Sequence, residues 1–248
     1  MSQIALNLFT LRDFIKSRSA MRKTLQALRD IGYEHVQIGS LDYLSAEEMK
    51  KLLDEFGMSC CARHVKLFQN EKEALQSIEE HKILGCTYSA ISHMRADSAA
   101  GYVELAGKAD KWARLFKKHG ITLAYHNHAH EFQKFDGKLA LDIIFENSTT
   151  LQSEIDTYWV HYGGGVTCEW IEKMKNRLPL IHLKDYAILD GQPTFAEVGE
   201  GNLNFPRIIE TAREAGTRWF IVEQDICQRD PFESVKISFE NLKKMGLE

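Results

Sequence analysis

The stretch ITLAYHNHAHEF, residues 121–132, closes an apolar run with His126, His128 and His130 and adds Glu131 among them. Imidazoles and carboxylates are the side chains that bind divalent metals or move protons near neutral pH. Residues of the same chemistry close other apolar runs: His64, His93, Asp156, His182 and Glu223. From His64 through His93, His126, Asp156 and His182 to Glu223 the steps are 29, 33, 30, 26 and 41 residues. Any one of these is what the polar end of a strand ordinarily looks like. Where Ser, Asn, Lys and Thr would also be expected, six positions holding only His, Asp or Glu point to ligands that converge.

Something must bring residues so far apart together. Eight runs have strand length and apolar or β-branched character: 4–9, 35–39, 59–64, 87–93, 121–126, 151–156, 178–183 and 219–225. Amphipathic stretches lie between them. Residues 45–57, 100–120, 205–216 and 231–246 have helical period, with Asn204 as an N-cap and Gly57, Gly120, Gly216 and Gly246 at the ends. Strand followed by helix, eight times, predicts an α/β fold, a (β/α)8 TIM barrel in a single domain over 1–248. In such a barrel, catalytic residues sit at the C-terminal ends of the strands. Parity agrees: Thr122, Ala124, His126 and His128 share one face, as do Ile221, Glu223 and Asp225, while Leu123, Tyr125, Phe220 and Val222 point opposite. The polar sets should line the mouth and the bulkier apolar sets should pack on helices.

Composition narrows the partners. The net charge of −4 offers no basic field for a phosphate backbone, so nucleic acid is not expected. Cys60, Cys61, Cys86, Cys168 and Cys227 are odd in number and form no CxxC pair, which argues for a reducing compartment without a disulfide framework. The N-terminal MSQIALNLFTLRDF lacks signal-peptide features, and no run is long and apolar enough for a membrane span; the expectation is a cytoplasmic protein without a membrane partner. No nucleotide fingerprint is present, so no nucleotide cofactor is expected.

The segments AYHNHAHEF, EIDTYWVHYGG, HLKD, VGEGNLNF and IVEQD occur in this order. Together they resemble the xylose isomerase-like TIM-barrel superfamily, and within it the sugar phosphate isomerase/epimerase branch that also contains inosose dehydratases. The resemblance covers essentially the whole chain. It implies one divalent metal at the barrel mouth, held by Glu, Asp, His and Glu from the fifth to eighth strands. Asp156, His182 and Glu223 match the last three positions, and His126 stands where the family usually has the first Glu. That departure leaves His126, His128 or Glu131 to fill the first role. A His/Asp/His/Glu set suits Mn, Co, Fe, Ni or Zn, with Mg also considered.

The implied activity is isomerisation or epimerisation of a sugar or sugar phosphate, through proton abstraction beside a carbonyl and a metal-stabilised enediolate. Glu223 is the first candidate for the base, with His126, His128 or Glu131 opposite it. Lys184 would hold a substrate oxygen or simply pair with Asp185. His64 and His93 match pocket-lining positions, although a hydrogen-bonded polar residue near the core would look the same. Trp159, with Tyr158, is read on a glycine-rich loop (Gly163 to Gly165) as an aromatic wall for a sugar face, or as ordinary packing. Glu200, between two glycines, is read as a hydroxyl acceptor or a loop clamp. His130 and His161 are expected to be peripheral, and His35, His81 and His119 to carry no chemistry. The partner is then a small-molecule carbohydrate, and a homo-oligomer is compatible with this reading. A keto-cyclitol or keto-sugar dehydratase shares the first chemical step. A non-catalytic sugar- or metal-binding barrel is the rival of a different class. A three-metal AP endonuclease fits less well, because Trp159 stands where that enzyme would need a histidine.

Overall fold

The computed structural model describes residues 3–39 and 43–248. Eight parallel strands close a barrel: β1 (Gln3–Asn7), β2 (His35–Ile38), β3 (Ser59–Val65), β4 (Tyr88–Ile91), β5 (Thr122–His126), β6 (Gln152–Asp156), β7 (Leu180–Leu183) and β8 (Trp219–Val222). Each strand pairs with the next, and β8 returns to β1 with Ile4 opposite Phe220 and Ala5 opposite Ile221. The chain is thus the expected (β/α)8 TIM barrel. No helix among the described residues is long and apolar enough to cross a membrane.

Strand alternation divides the core in two. Ala5, Cys61, Ala62, Ala90, Ala124, Leu180, Trp219 and Ile221 form a smaller cluster inside the barrel. Leu6, Val36, Leu123, Tyr125, Phe220 and Val222 belong to the large cluster that the strands share with the helices. An eight-stranded barrel is just wide enough inside for side chains to fill it, so the interior is a packed core and not a pore. The helices outside are α1 (Arg18–Ile31), α2 (Ala46–Glu55), α3 (Glu71–Leu84), α4 (Ala99–Lys118), α5 (Ala140–Glu146), α6 (Thr157–Tyr162), α7 (Thr167–Lys173), α8 (Phe205–Glu214) and α9 (Pro231–Lys244). The sequence explains their starts. Ser45 and Glu48 form a capping box on α2, Asn204 caps α8, and Asp230 precedes Pro231 and accepts from the Phe232 and Glu233 N–H groups.

Two features depart from a plain strand–helix alternation. Tyr158 and Trp159 lie on α6, not on a glycine-rich loop. Asp156 caps this helix by accepting the Trp159 N–H at 3.1 Å, and the glycines only end it, with Gly164 at φ +83°. The long step before Glu223 contains an antiparallel hairpin, Asp185–Leu189 with Gln192–Ala196. Asp190 and Gly191 both take positive φ at its turn (51° and 75°), which is why an Asp-Gly pair stands there.

Candidate active site

The polar residues of the strand ends meet at the C-terminal mouth. His126 and Asp156 are the last residues of β5 and β6, and His182 is the penultimate residue of β7. Glu223 follows β8, its N–H bonded to the Leu183 carbonyl at 3.3 Å. His126 Nε2 lies 3.2 Å from Asp156 Oδ2, and His182 Nδ1 lies 3.2 Å from Glu223 Oε2 and 3.8 Å from Asp156 Oδ2. One potential ligand atom from each of His126, Asp156, His182 and Glu223 falls within 4.8 Å of the others. All four residues are buried.

Beneath them lies a second polar layer that the strand-end pattern did not single out. Gln37 Oε1 sits 2.6 Å from His182 Nε2 and also accepts from Asn7 Nδ2 at 2.9 Å. An amide oxygen only accepts, so His182 Nε2 carries a proton and Nδ1 is the nitrogen turned to the cluster. Glu154 accepts from Gln37 Nε2 at 2.7 Å and lies 2.5 Å from His64 Nε2, whose ring stacks on His182. Glu154 stands two residues before Asp156, and alternation alone would have put it on the same inner face.

Lys184 joins the carboxylates. Its Nζ is 2.6 Å from Glu223 Oε2, 2.7 Å from Asp225 Oδ2 and 3.1 Å from Asp156 Oδ2, and it is 1% exposed. A lysine is so deeply buried almost only when it is paired. Burial opposes its charge, but Asp156, Glu223 and Asp225 outweigh burial and hold the ammonium protonated well above its ordinary range. Burial likewise favours neutral carboxyls. Lys184 and His182 overcome this at Glu223, whose carboxyl stays well below its usual range, and His182 and His64 bring Glu154 down to about 2. Burial also opposes charge on His182, yet Glu154, Glu223 and Asp156 keep it protonated up to about 9. His126 behaves oppositely. Burial, with His182 and His64 beside it, drives its pKa far down and leaves a neutral imidazole.

A cavity of about 600 Å³ opens over this cluster, lined by His64, His93, His126, His128, Glu223 and Asp225 among others. That volume is in the range of small-molecule sites. His93 is exposed at its edge, and His128 is half-buried with its Nδ1 enclosed and unpartnered. The half-buried Trp159 ring stands 5.7 Å from the His128 ring and 5.5 Å from Lys184 Nζ. Two of the expected residues are not brought to the cluster. Glu131 is fully buried behind the rim, where it accepts from the Tyr125 hydroxyl and from the His128 N–H at 2.9 Å; burial pushes its carboxyl up to about 7 against those bonds. Glu200 is exposed and faces α9, where Asn241 Nδ2 donates to it at 3.0 Å.

Residues 25–245 match the family described as the xylose isomerase-like TIM barrel. The chain belongs to that family. Its relatives include the rhizopine catabolism protein MocC of Rhizobium meliloti, 22% identical over 91% of this chain and 82% of that protein. A solved sugar phosphate isomerase/epimerase from Parabacteroides distasonis superposes with a TM-score of 0.81 at 22% identity, covering 98% of this chain and 93% of the other. L-ribulose 3-epimerase superposes with a TM-score of 0.76 at 16% identity, covering 99% and 94%. Both solved barrels superpose over nearly the whole chain, which shows a shared fold.

Proposed function

We propose that this protein is a divalent-metal-dependent isomerase or epimerase of a sugar or sugar phosphate that removes a proton next to a carbonyl. The observation that carries this reading is the meeting of His126, Asp156, His182 and Glu223 within 4.8 Å, with Glu223 also lining the cavity. The donor set fits a metal. Two imidazoles and two carboxylates suit Mn, Co, Fe, Ni or Zn, and His182 turns Nδ1 inward because Gln37 occupies its other nitrogen; the proton that the carboxylates keep on Nδ1 would be released as an ion binds. A divalent ion held there supplies a Lewis acid against negative charge on substrate oxygens.

The chain's own groups do the rest. Glu223 is kept ionised by Lys184 and His182 and faces the cavity, so its carboxylate is the base that takes the carbon-bound proton. His128 lines the same cavity without belonging to the four-residue cluster. His64 lines the cavity, and the Trp159 ring stands 5.5 Å from Lys184 Nζ. Lys184 also favours a second reading. An ammonium beside the base can protonate a departing hydroxyl, which would make the protein a dehydratase of a keto-cyclitol or keto-sugar.

The test is exchange of carbon-bound hydrogen in D2O across a panel of keto-sugars, free and phosphorylated, with metal-loaded wild type and Glu223→Gln. The expected result is exchange in wild type and a loss of about 10²- to 10⁴-fold in the variant. Equal exchange in both removes Glu223 from the role of base. Water loss with an unsaturated product selects the dehydratase, and metal binding with no exchange in any substrate selects a binding barrel.

A further inference from the structure

His93, His128 and His130 form a second group at the rim. His93 lies two residues beyond β4, and the other two lie on the turn that follows β5. A ring nitrogen from each falls within 4.8 Å of the other two. The ring centroids of His93 and His130 are 4.8 Å apart, and His128 is 5.9 Å from each. None of the three belongs to the four-residue cluster beneath, although the His128 ring is only 4.8 Å from that of His126.

Two details distinguish this group from a chance gathering of rim histidines. His130 Nε2 lies 2.9 Å from the Met94 carbonyl oxygen. A carbonyl only accepts, so Nε2 carries the proton and Nδ1 keeps its lone pair free; metal-bound histidines characteristically donate their second N–H to a backbone carbonyl or carboxylate. His128 Nδ1 is enclosed with no hydrogen-bond partner, a costly arrangement that asks for an explanation. The turn carrying both histidines is also fixed from below. Buried Glu131 accepts the His128 N–H at 2.9 Å, bonds the Tyr125 hydroxyl with its other oxygen, and lies 3.3 Å from His130 Nε2.

We propose that His93, His128 and His130 bind a second divalent ion, separate from the His126/Asp156/His182/Glu223 cluster and on the wall of the same cavity. Three imidazoles with no carboxylate among them select a late first-row metal such as zinc, nickel or cobalt over magnesium or calcium. Glu131 positions the ligands from behind. His93 and His128 both line the cavity, so an ion held by them faces whatever fills it.

Zinc titration of the metal-free full chain against a chromophoric chelator tests this without reference to activity. Wild type is expected to take two equivalents, and His93→Ala/His130→Ala one. Asp156→Ala/His182→Ala is expected to take one as well, that one being the rim ion. His93→Gln serves as the milder variant should the double variant fail to fold, because His93 is exposed. One equivalent in wild type that His93→Ala/His130→Ala retains overturns the proposal, as do two equivalents in the rim variant. If only the rim variant keeps a full complement while Asp156→Ala/His182→Ala loses one ion, the rim site falls and the cluster beneath it stands. If the reverse holds, the proposed function loses its metal and the rim site stands.

Discussion

Asp185 and Asp156 are both fully buried carboxylates near the barrel mouth, and they are held in opposite ways. Asp185 accepts four backbone N–H groups, from Tyr186, Gly199, Gly201 and Leu203, at 2.7 to 3.1 Å. Asp110, near the far end of β6, is treated similarly by the N–H groups of Thr149, Thr150 and Leu151. Asp156 has one backbone donor, the Trp159 N–H on Oδ1, while its Oδ2 faces His126, His182 and Lys184; Glu223 faces His182 and Lys184. Backbone donors cannot leave, so Asp185 and Asp110 staple loops. Side-chain donors can be exchanged for an ion or a substrate. The difference separates carboxylates that build the barrel from carboxylates that can work in it.

Several perturbations test that separation. The largest effect is expected for Glu223→Gln, a loss of about 10²- to 10⁴-fold in turnover; the melt should fall as well, because Lys184 and His182 lose a buried carboxylate partner. Unchanged turnover would remove Glu223 from the working class. Lys184→Met leaves Asp156, Glu223 and Asp225 without their shared cation and is expected to destabilise the metal-free protein by about 3–5 kcal/mol in urea melts. Saturating zinc should shrink that loss, because an ion restores positive charge among the carboxylates. Asp185→Ala is expected to cost about 2–3 kcal/mol, from the buried donors left unpaired, by the same amount with and without metal. A metal-dependent loss at Asp185, or a metal-independent one at Lys184, would erase the distinction.

His81 offers a comparison by pH. It is fully buried on α3, its Nδ1 bonded to the Ser77 carbonyl at 2.7 Å and its Nε2 without a partner, and burial lowers its pKa to about 4. The unfolded chain, with an ordinary histidine near 6.5, therefore binds the proton first as pH falls. Stability supplied by the neutral ring is complete above 6.5 and is lost progressively down to about 4. Wild type should lose about 3 kcal/mol more than His81→Leu across that window, read from urea melts at stepped pH. Parallel curves would show that the buried ring accepts the proton without cost. The smallest effect is expected for Glu200→Gln. The residue is exposed and faces Asn241, so stability should change by less than about 0.5 kcal/mol and turnover not at all.

Particular residues show how much was legible before the structure. His126, Asp156, His182 and Glu223 each close an apolar run, and a parallel barrel converts such ends into neighbours; spacing points to them together with His64 and His93, and the family resemblance picks out these four. Glu154 and Gln37 sit inside their runs, where a polar residue looks like an interruption until strand parity assigns it inward. The eight strands were legible because each is a short apolar segment; α6 was not, because a six-residue helix capped by Asp156 has too little period to register. The Asp-Gly pair at 190–191 is the sequence signal of the hairpin, a turn that needs positive φ at both residues. The VGEG segment was read for what Glu200 could touch. Its glycines matter for another reason: a Cβ at Gly201 would fall 2.5 Å from Asp185 Oδ1, so glycine there lets the amides close on Asp185. Glu131 was named for its carboxylate, yet sequence gives no sign that a residue just past a strand turns behind the rim.

The most direct test of the central claim is metal content by mass spectrometry on protein purified without chelator or affinity tag, beside Asp156→Ala and His182→Ala. Wild type is expected to hold a near-stoichiometric transition metal that is lost from the cluster in both variants, while Asp185→Ala retains it. Wild type that holds no metal even after remetallation, or variants that keep the full complement, would contradict the claim.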